Sequence, residues 1–258
     1  MIRVLLGGDV VGSRGCAFAV RAVRSLRDRV DVVILNGENS ADGNGITRSS
    51  AESLYTVCDV ITTGNHAFRR REFTEQYDDL SYVLRPANYP EGTPGRGVCL
   101  IDKGSYRLAV MNICGTAFMD DLDNPFECAE RLLTGIDTKN IILDFHAEAT
   151  SEKKAMGFFL DGKVSAVMGT HTHVQTADEI ILPHGTAYIS DVGMCGTELS
   201  VLGVEASLAV RKQRYKLPVR FEEAAGEQIF CGAIVTIDER SGRAAEISRV
   251  QIREKDLK

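Results

Sequence analysis

No apolar run in this chain approaches the roughly 20 residues needed to span a bilayer, so no segment is expected to cross a membrane. No two of its seven cysteines (Cys16, Cys58, Cys99, Cys114, Cys128, Cys195 and Cys231) stand close enough to form a CxxC. Their number is odd, which argues against a disulfide framework or zinc ribbon and for free thiols in a reducing cytosol. Basic residues are outnumbered, 30 against 36 acidic, giving a net charge of −6. A general duplex binder would carry a basic stripe. Arg69-Arg70-Arg71 is read as the only dense basic run, a solvated helix start, and its place just after a Gly-Asn-His cluster leaves a role in steering an anionic substrate open. No repeat, low-complexity tract or linker interrupts the chain. The N-terminus, MIRVLLGGD, has too short an apolar stretch for a signal peptide and reads as a first buried strand. At 258 residues, 44% hydrophobic, the chain can bury one large core or two modest ones.

What is present alternates between strand and helix patterns. Ile2–Leu6, Val32–Leu35 and Val60–Thr63 are short buried strands. Between them, Ala19, Val20, Val23, Leu26 and Val30 recur at helical spacing over 16–30, and Thr47 can cap a helix to about Cys58. This β-α-β-α-β order predicts parallel strands with crossover helices. Gly97–Ile101 and Arg107–Ile113 flank Lys103-Gly104-Ser105, a hairpin signal. Ile141–Phe145 and Val164–Met168 are further strands around a helix from Ser151 to Phe159. Ile180–Leu182 and Thr186–Ser190 flank Pro-His-Gly as a second hairpin. Period-2 segments over Ile229–Ile237 and Ala245–Ile252 close the chain. One α/β domain over residues 1–258, with a mixed, two-sheet core, is the simplest account.

Five of these strands end in polar clusters: Asp9; Asn36-Gly37-Glu38-Asn39; Gly64-Asn65-His66; His146 with Glu148; and His171-Thr172-His173. In open α/β sheets ligands bind at the carboxyl ends of the strands. Mutually parallel strands would bring all five clusters to one rim. Each cluster alone has a plain structural account. Asp9 can form a turn, Glu38 can cap a loop, Asn65 can bond a turn backbone, and His146 can be a satisfied strand-end residue. His171 and His173, at i and i+2 of an extended segment, would project to one side. Together the five are hard to explain as independent accidents, and imidazole is the commonest metal ligand. The clusters contain no thiolate, which disfavours a cysteine zinc site. Two carboxylates, two amides and three imidazoles exceed the needs of one ion, so two are inferred. Mixed N/O ligation suits Fe, Mn or Zn. Two divalent ions against the charges of Asp9 and Glu38 leave the site positive, which suits an anionic substrate.

GDVVG, NGEN, GNH, DFHAEATSEK and GTHTHVQTAD, in this order, resemble the calcineurin-like metallophosphoesterases, and more narrowly their bacterial YmdB-like branch. The resemblance covers nearly the whole chain, RPANYPEGTPGRG included. It implies a four-layer α-β-β-α sandwich of two mixed sheets, with a dinuclear centre at the sheet edges that typically holds iron. It implies a phosphodiesterase acting on cyclic nucleotides, with 2′,3′-cyclic nucleotides the favoured class. By matching positions, Asp9, Asn39 and His173 would hold the first metal, Glu38 would bridge, and Asn65, His146 and His171 would hold the second. His66 would be the general acid. Val11 stands where the wider superfamily often has a histidine, and Asn39 would replace it, as in this branch. Phe68 and Arg69 stand where relatives usually carry Trp and an acid, a departure that bears on substrate contacts near His66.

The reaction expected is in-line attack on phosphorus by a hydroxide held between the metals, with His66 protonating the departing oxygen. The partner is a small phosphodiester, and the acidic charge leaves room for a short RNA end. A homo-oligomer in the cytoplasm is expected. Two other readings are a regulatory or RNA-associated factor with a mainly structural metal site, and a metal-dependent phosphomonoesterase or nuclease. Arg96, in the Gly95-Arg96-Gly97 turn, lacks a P-loop context. Asp191 can orient a ligand histidine from behind or be a hydrogen-bonded strand-end residue.

Overall fold

Alternation along the strands decides the layering. In the computed structural model, which describes residues 1–257, β1 (Ile2–Val11) sends Ile2, Val4 and Leu6 to one face and Leu5 and Val10 to the other. Its neighbours β2 (Val32–Asn39) and β3 (Val60–Thr62) run parallel to it. β10 (Met194–Thr197) is also parallel to β1, β11 (Gln228–Ile237) runs antiparallel to both, and β12 (Ala244–Arg253) pairs antiparallel with β11. The order of this sheet is β12-β11-β10-β1-β2-β3.

The second sheet contains β4 (Val98–Asp102), β5 (Arg107–Cys114), β6 (Ile141–His146) and β7 (Ala166–Thr170). With β8 (Ile180–Ile181) and β9 (Ala187–Ile189) it has the order β4-β5-β6-β7-β9-β8. β5, β6, β7 and β9 are parallel, and the two expected hairpins supply the antiparallel strands β4 and β8. The inward side chains of both sheets, such as Val4, Ile34, Val110, Ile142 and Met168, form a shared apolar layer. The outward set of the first sheet packs on α1 (Gly12–Leu26) and α2 (Arg48–Tyr55). That of the second packs on α4 (Pro125–Leu133) and α5 (Thr150–Phe159). The result is the expected four-layer α-β-β-α sandwich of two mixed sheets. The short α3 (Gln76–Asp79) and the exposed α6 (Ala206–Tyr215) lie outside these layers.

Several boundaries differ from the sequence reading for identifiable reasons. β1 continues through Gly7-Gly8 to Val11, still paired with β2 and β10, and residue 8 is glycine because a side chain there would collide with the backbone carbonyl of Gly193 on the adjacent segment. α1 starts at Gly12, whose φ of +66° turns the strand directly into the helix. Thr47 does cap α2, and Ser50 reciprocates. α4 is an element the strand-and-helix alternation does not include, although Asn124-Pro125 signals it with a capping Asn and a Pro in the first turn. α6 buries only Ala209, so it has no apolar stripe to read.

One buried ion pair ties the outer helix to the segment after β9 and, through it, to the loop after β7. Lys153 of α5 is 1% exposed and Asp191 likewise. The Lys153 Nζ donates to Asp191 Oδ2 at 2.7 Å and to the Thr170 carbonyl at 2.8 Å. The same Oδ2 accepts from the Thr172 amide at 3.0 Å. Removing one partner strands the other charge in the interior. Lys153→Met should therefore cost about 3–5 kcal/mol, read as a lower urea midpoint; an unchanged midpoint would contradict this role.

Candidate metal centre

β1, β2 and β3 of one sheet and β6 and β7 of the other end on the same rim, so the five polar clusters do meet. His146 Nε2 lies 3.3 Å from Glu38 Oε2, 3.0 Å from Asn65 Oδ1 and 3.0 Å from His171 Nδ1. Donor atoms of Glu38, His146 and His171 all lie within 4.8 Å of one another. A second group adjoins this one. His173 Nε2 is 3.7 Å from Asp9 Oδ1, and Asn39 Nδ2 is 3.3 Å from that same His173 nitrogen. Gly64 leaves the room, because a Cβ there would overlap the His146 ring and the Glu38 carboxylate.

Each of the three imidazoles expected as ligands is anchored through one nitrogen and presents the other to the centre. The Thr170 hydroxyl donates to Asp144 Oδ1 at 2.7 Å and can then accept from His146 Nδ1 at 2.8 Å. His171 Nε2 sits 3.0 Å from the half-exposed Glu148 carboxylate. His173 Nδ1 donates to the Leu202 carbonyl at 3.1 Å. Such outer contacts fix the tautomer that leaves a lone pair facing inward. The segment carrying His171 and His173 is not extended as the sequence suggested. Both residues have positive φ, +104° and +62°, so a turned backbone rather than strand alternation aims the two rings. Asp191 acts on this turn through the Thr172 amide and does not touch a ligand ring.

The electrostatics point to a cation. Asp9 is fully buried; one carboxylate oxygen accepts from the His171 amide at 3.0 Å, while Oδ1 has no hydrogen-bond partner. Burial raises its pKa, against the pull of His173 and His146. Burial would raise Glu38 too, but His146 and then His66 hold it well below the usual range. His146 resists burial, which alone would lower it, and is pushed up to about 9 by Glu38, Asp9 and Asp144. His171 falls to about 3 through burial and the neighbouring His146. Glu38, Asp9 and Asp144 thus favour positive charge at the position that His146 occupies. An orphaned carboxylate oxygen and converging lone pairs of mixed N and O type fit a metal centre.

Asn39 is the exception among the expected ligands. Its Oδ1 accepts from His66 Nδ1 at 2.9 Å, and its amide nitrogen faces His173. Ligation by Asn39 needs the amide turned over. His66 stands beside the donor set. Its backbone amide donates to Glu38 Oε2 at 3.0 Å and its Nδ1 is held by Asn39 and Glu38, which leaves Nε2 on a 29% exposed ring.

The sequence reading does not include what lies beneath. Asp144 is fully buried, with its pKa pushed up to about 6 mainly by burial. It accepts from Thr170, Thr62 and Asn36, a network behind His146 that joins both sheets. Its signal is available: a carboxylate within an apolar strand, two residues before His146 and on its face. Phe68 turns inward, its ring centroid 5.1 Å from each of Tyr77 and Tyr89. Arg70 holds the loop after Asn39 by bonding the carbonyls of Asp42 and Asn44. The basic run there is thus partly a structural clamp, and Arg96 is an exposed turn residue.

Metal ligation requires neutral His146. Because its pKa in the free protein is about 9, metal binding at pH 7 should release about one proton from it. Apparent affinity should then rise with pH up to that value and level off above it. Calorimetric titration with Mn²⁺ in buffers of different ionisation heat measures the proton count; no release at pH 7 would contradict the assignment.

Comparison with known proteins agrees with this geometry. The sequence profile of the family described as YmdB-like protein matches residues 5–250. The chain is 44% identical over 256 residues to the 2′,3′-cyclic-nucleotide 2′-phosphodiesterase of Bacillus subtilis (strain 168), covering 97% of both chains. Among solved structures, a hypothetical protein from Thermus thermophilus superposes with a TM-score of 0.94 at 39% identity, over 98% of this chain and 100% of that one. A novel phosphatase from Mycoplasma pneumoniae does so at 0.92 and 30% identity, over 98% and 93%. The fold alone extends further, to a putative 5′-nucleotidase from Staphylococcus aureus at 15% identity, with a TM-score of 0.60 over 98% of this chain and 56% of that one. With two sheets that deliver seven metal-type donors and an adjoining histidine to one rim, and a family match over almost its whole length, the chain belongs to the YmdB-like branch of the metallophosphoesterases.

Proposed function

We propose that this protein hydrolyses phosphodiesters at a two-metal site and that 2′,3′-cyclic nucleotides are its substrates. The observation that carries the reading is the position of His66. It stands beside the donor set with Nδ1 held by Asn39 and Glu38, and Nε2 has no partner among the described residues. A purely structural metal site needs no such group. The name of the Bacillus subtilis relative supports the choice of substrate.

Asp9 and His173 would hold one ion together with Asn39, whose amide would turn over and leave Glu38 as the acceptor for His66 Nδ1; Glu38 would bridge, and Asn65, His146 and His171 would hold the other, with iron the expected metal and Mn or Zn able to suit the same donors. When bound, the ions would supply charge for the phosphoryl oxygens and a nucleophile at neutral pH. The protein does the rest. Asp144, through Thr170, keeps the His146 lone pair aimed inward. Glu148 and the Leu202 carbonyl do the same for His171 and His173. His66 Nε2–H donates its proton to the departing ribose oxygen as one P–O bond breaks, leaving a nucleoside monophosphate. The seven cysteines are unpaired, which accords with a reducing compartment, and we place the protein in the cytoplasm.

His66→Ala should keep its metal, measured by elemental analysis, and lose about 10²–10⁴ of kcat toward a 2′,3′-cyclic nucleotide. Full turnover in that variant would rule out the proton-donor role. Glu38→Gln should lower metal content and turnover together, since it removes a charge shared by both ions; a variant unchanged in both would refute the bridge.

A further inference from the structure

The densest cationic stretch of the chain is not beside the Gly-Asn-His cluster. Between Glu205 and Glu222 the sequence holds Arg211, Lys212, Arg214, Lys216 and Arg220 with no acidic residue, in a protein of net charge −6. Contrary to the expectation from sequence, Arg69–Arg71 is therefore not the only dense basic run. The segment forms an arm. Its base is closed by backbone bonds from Glu205 to the Glu222 carbonyl at 3.0 Å and from Ala224 to the Gly203 carbonyl at 2.9 Å. Leu202, immediately before that base, accepts the Nδ1–H of His173. The arm therefore grows out of the residue that anchors a candidate metal ligand.

From there α6 rises about 15 Å over its ten residues, and all five cations are exposed. Lys216 bonds Gln213, Lys212 lies over the Phe221 ring and Arg214 over the Tyr215 ring, and none of the five reaches a carboxylate among the described residues. Tyr215 is 55% exposed and Phe221 39%. Favourable charge at a helix C-terminus accounts for Lys212 and Arg214. It does not account for Arg220 beyond the helix, or for cations interleaved with exposed aromatics. That combination suits a single-stranded nucleic acid, whose phosphates meet the cations and whose bases stack on the rings.

We propose that the 206–221 arm binds the strand of an oligoribonucleotide and delivers its 3′ end, closed as a 2′,3′-cyclic phosphate, to the metal centre. The inference rests on the phosphodiesterase reading above and extends it from mononucleotides to RNA ends. The single-stranded polyanion gains contacts along the arm that a mononucleotide is too short to make. Its advantage falls with salt, by about −0.7 in log K per log unit of salt for each phosphate engaged.

The test compares a mononucleoside 2′,3′-cyclic phosphate with a ten-nucleotide RNA ending in the same group, on the metal-loaded full chain. In the wild type, kcat/KM for the oligonucleotide should exceed that for the mononucleotide at low salt, and the ratio should fall as salt rises. Lys212→Glu/Arg214→Glu/Lys216→Glu should lower kcat/KM for the oligonucleotide by about tenfold or more and leave that for the mononucleotide within twofold. Equal loss on both substrates, or no loss on either, overturns the proposal. So does a triple variant whose sedimentation shows a changed oligomeric state, because the arm then serves contact between copies of the chain. Anisotropy of a fluorescent ten-nucleotide RNA with a 3′-phosphate separates the two levels. Salt-sensitive binding lost in the triple variant, without hydrolysis of either substrate, rejects the phosphodiesterase reading. Hydrolysis of the mononucleotide with RNA binding unaffected by the triple variant rejects the arm.

Discussion

Asp9 and Glu38 put two carboxylates inside the seam between the sheets, 0% and 1% exposed, at the ends of adjacent parallel strands. Burying a charge costs several kcal/mol unless an opposite charge answers it. The chain answers with imidazoles from the facing sheet, and raises the pKa of His146 to about 9 in doing so. Both sheets thus need each other twice, through the apolar layer between them and through the charges at its rim. A cation bound in place of a proton on His146 would complete an arrangement that the sandwich has already assembled.

The donors are held from behind. Asp144 reaches Thr62 and Asn36 of one sheet and Thr170 of the other, and through Thr170 it sets the tautomer of His146. Lys153 and Asp191 clamp the turn whose positive φ angles aim His171 and His173. The Leu202 carbonyl sets the His173 ring from a third direction. These contacts convert a set of ligand-type residues into a preorganised site, because rings free to rotate would pay ordering entropy on each binding event. His66 is held by the same Glu38 that sits at the centre, so the proposed proton donor and the donor set share one geometry.

Much of this is legible in the amino-acid sequence. Apolar strands that stop at Asp9, Glu38, Asn65, His146 and His171 announce a rim, and the parallel order of the first three strands follows from their β-α-β spacing. The network behind the rim is not, because Asn36, Thr62, Asp144 and Thr170 meet only when two sheets separated in sequence pack together. The turn at His171–His173 reads as extended because positive φ at a non-glycine residue leaves no local trace. The amide of Asn39, which faces His66 with its oxygen, depends on neighbours from two strands. α6 has no apolar stripe, so only its charge could mark it, and the acidic total masks that charge.

The central claim is that two ions, held by this one set of donors, make the site hydrolytic. Stripping the protein of metal and titrating Mn²⁺ back, while following turnover of a 2′,3′-cyclic nucleotide, tests it most directly. The account predicts little turnover at one equivalent per chain and a plateau at two. A plateau at one equivalent, or no turnover with two ions bound, would contradict it.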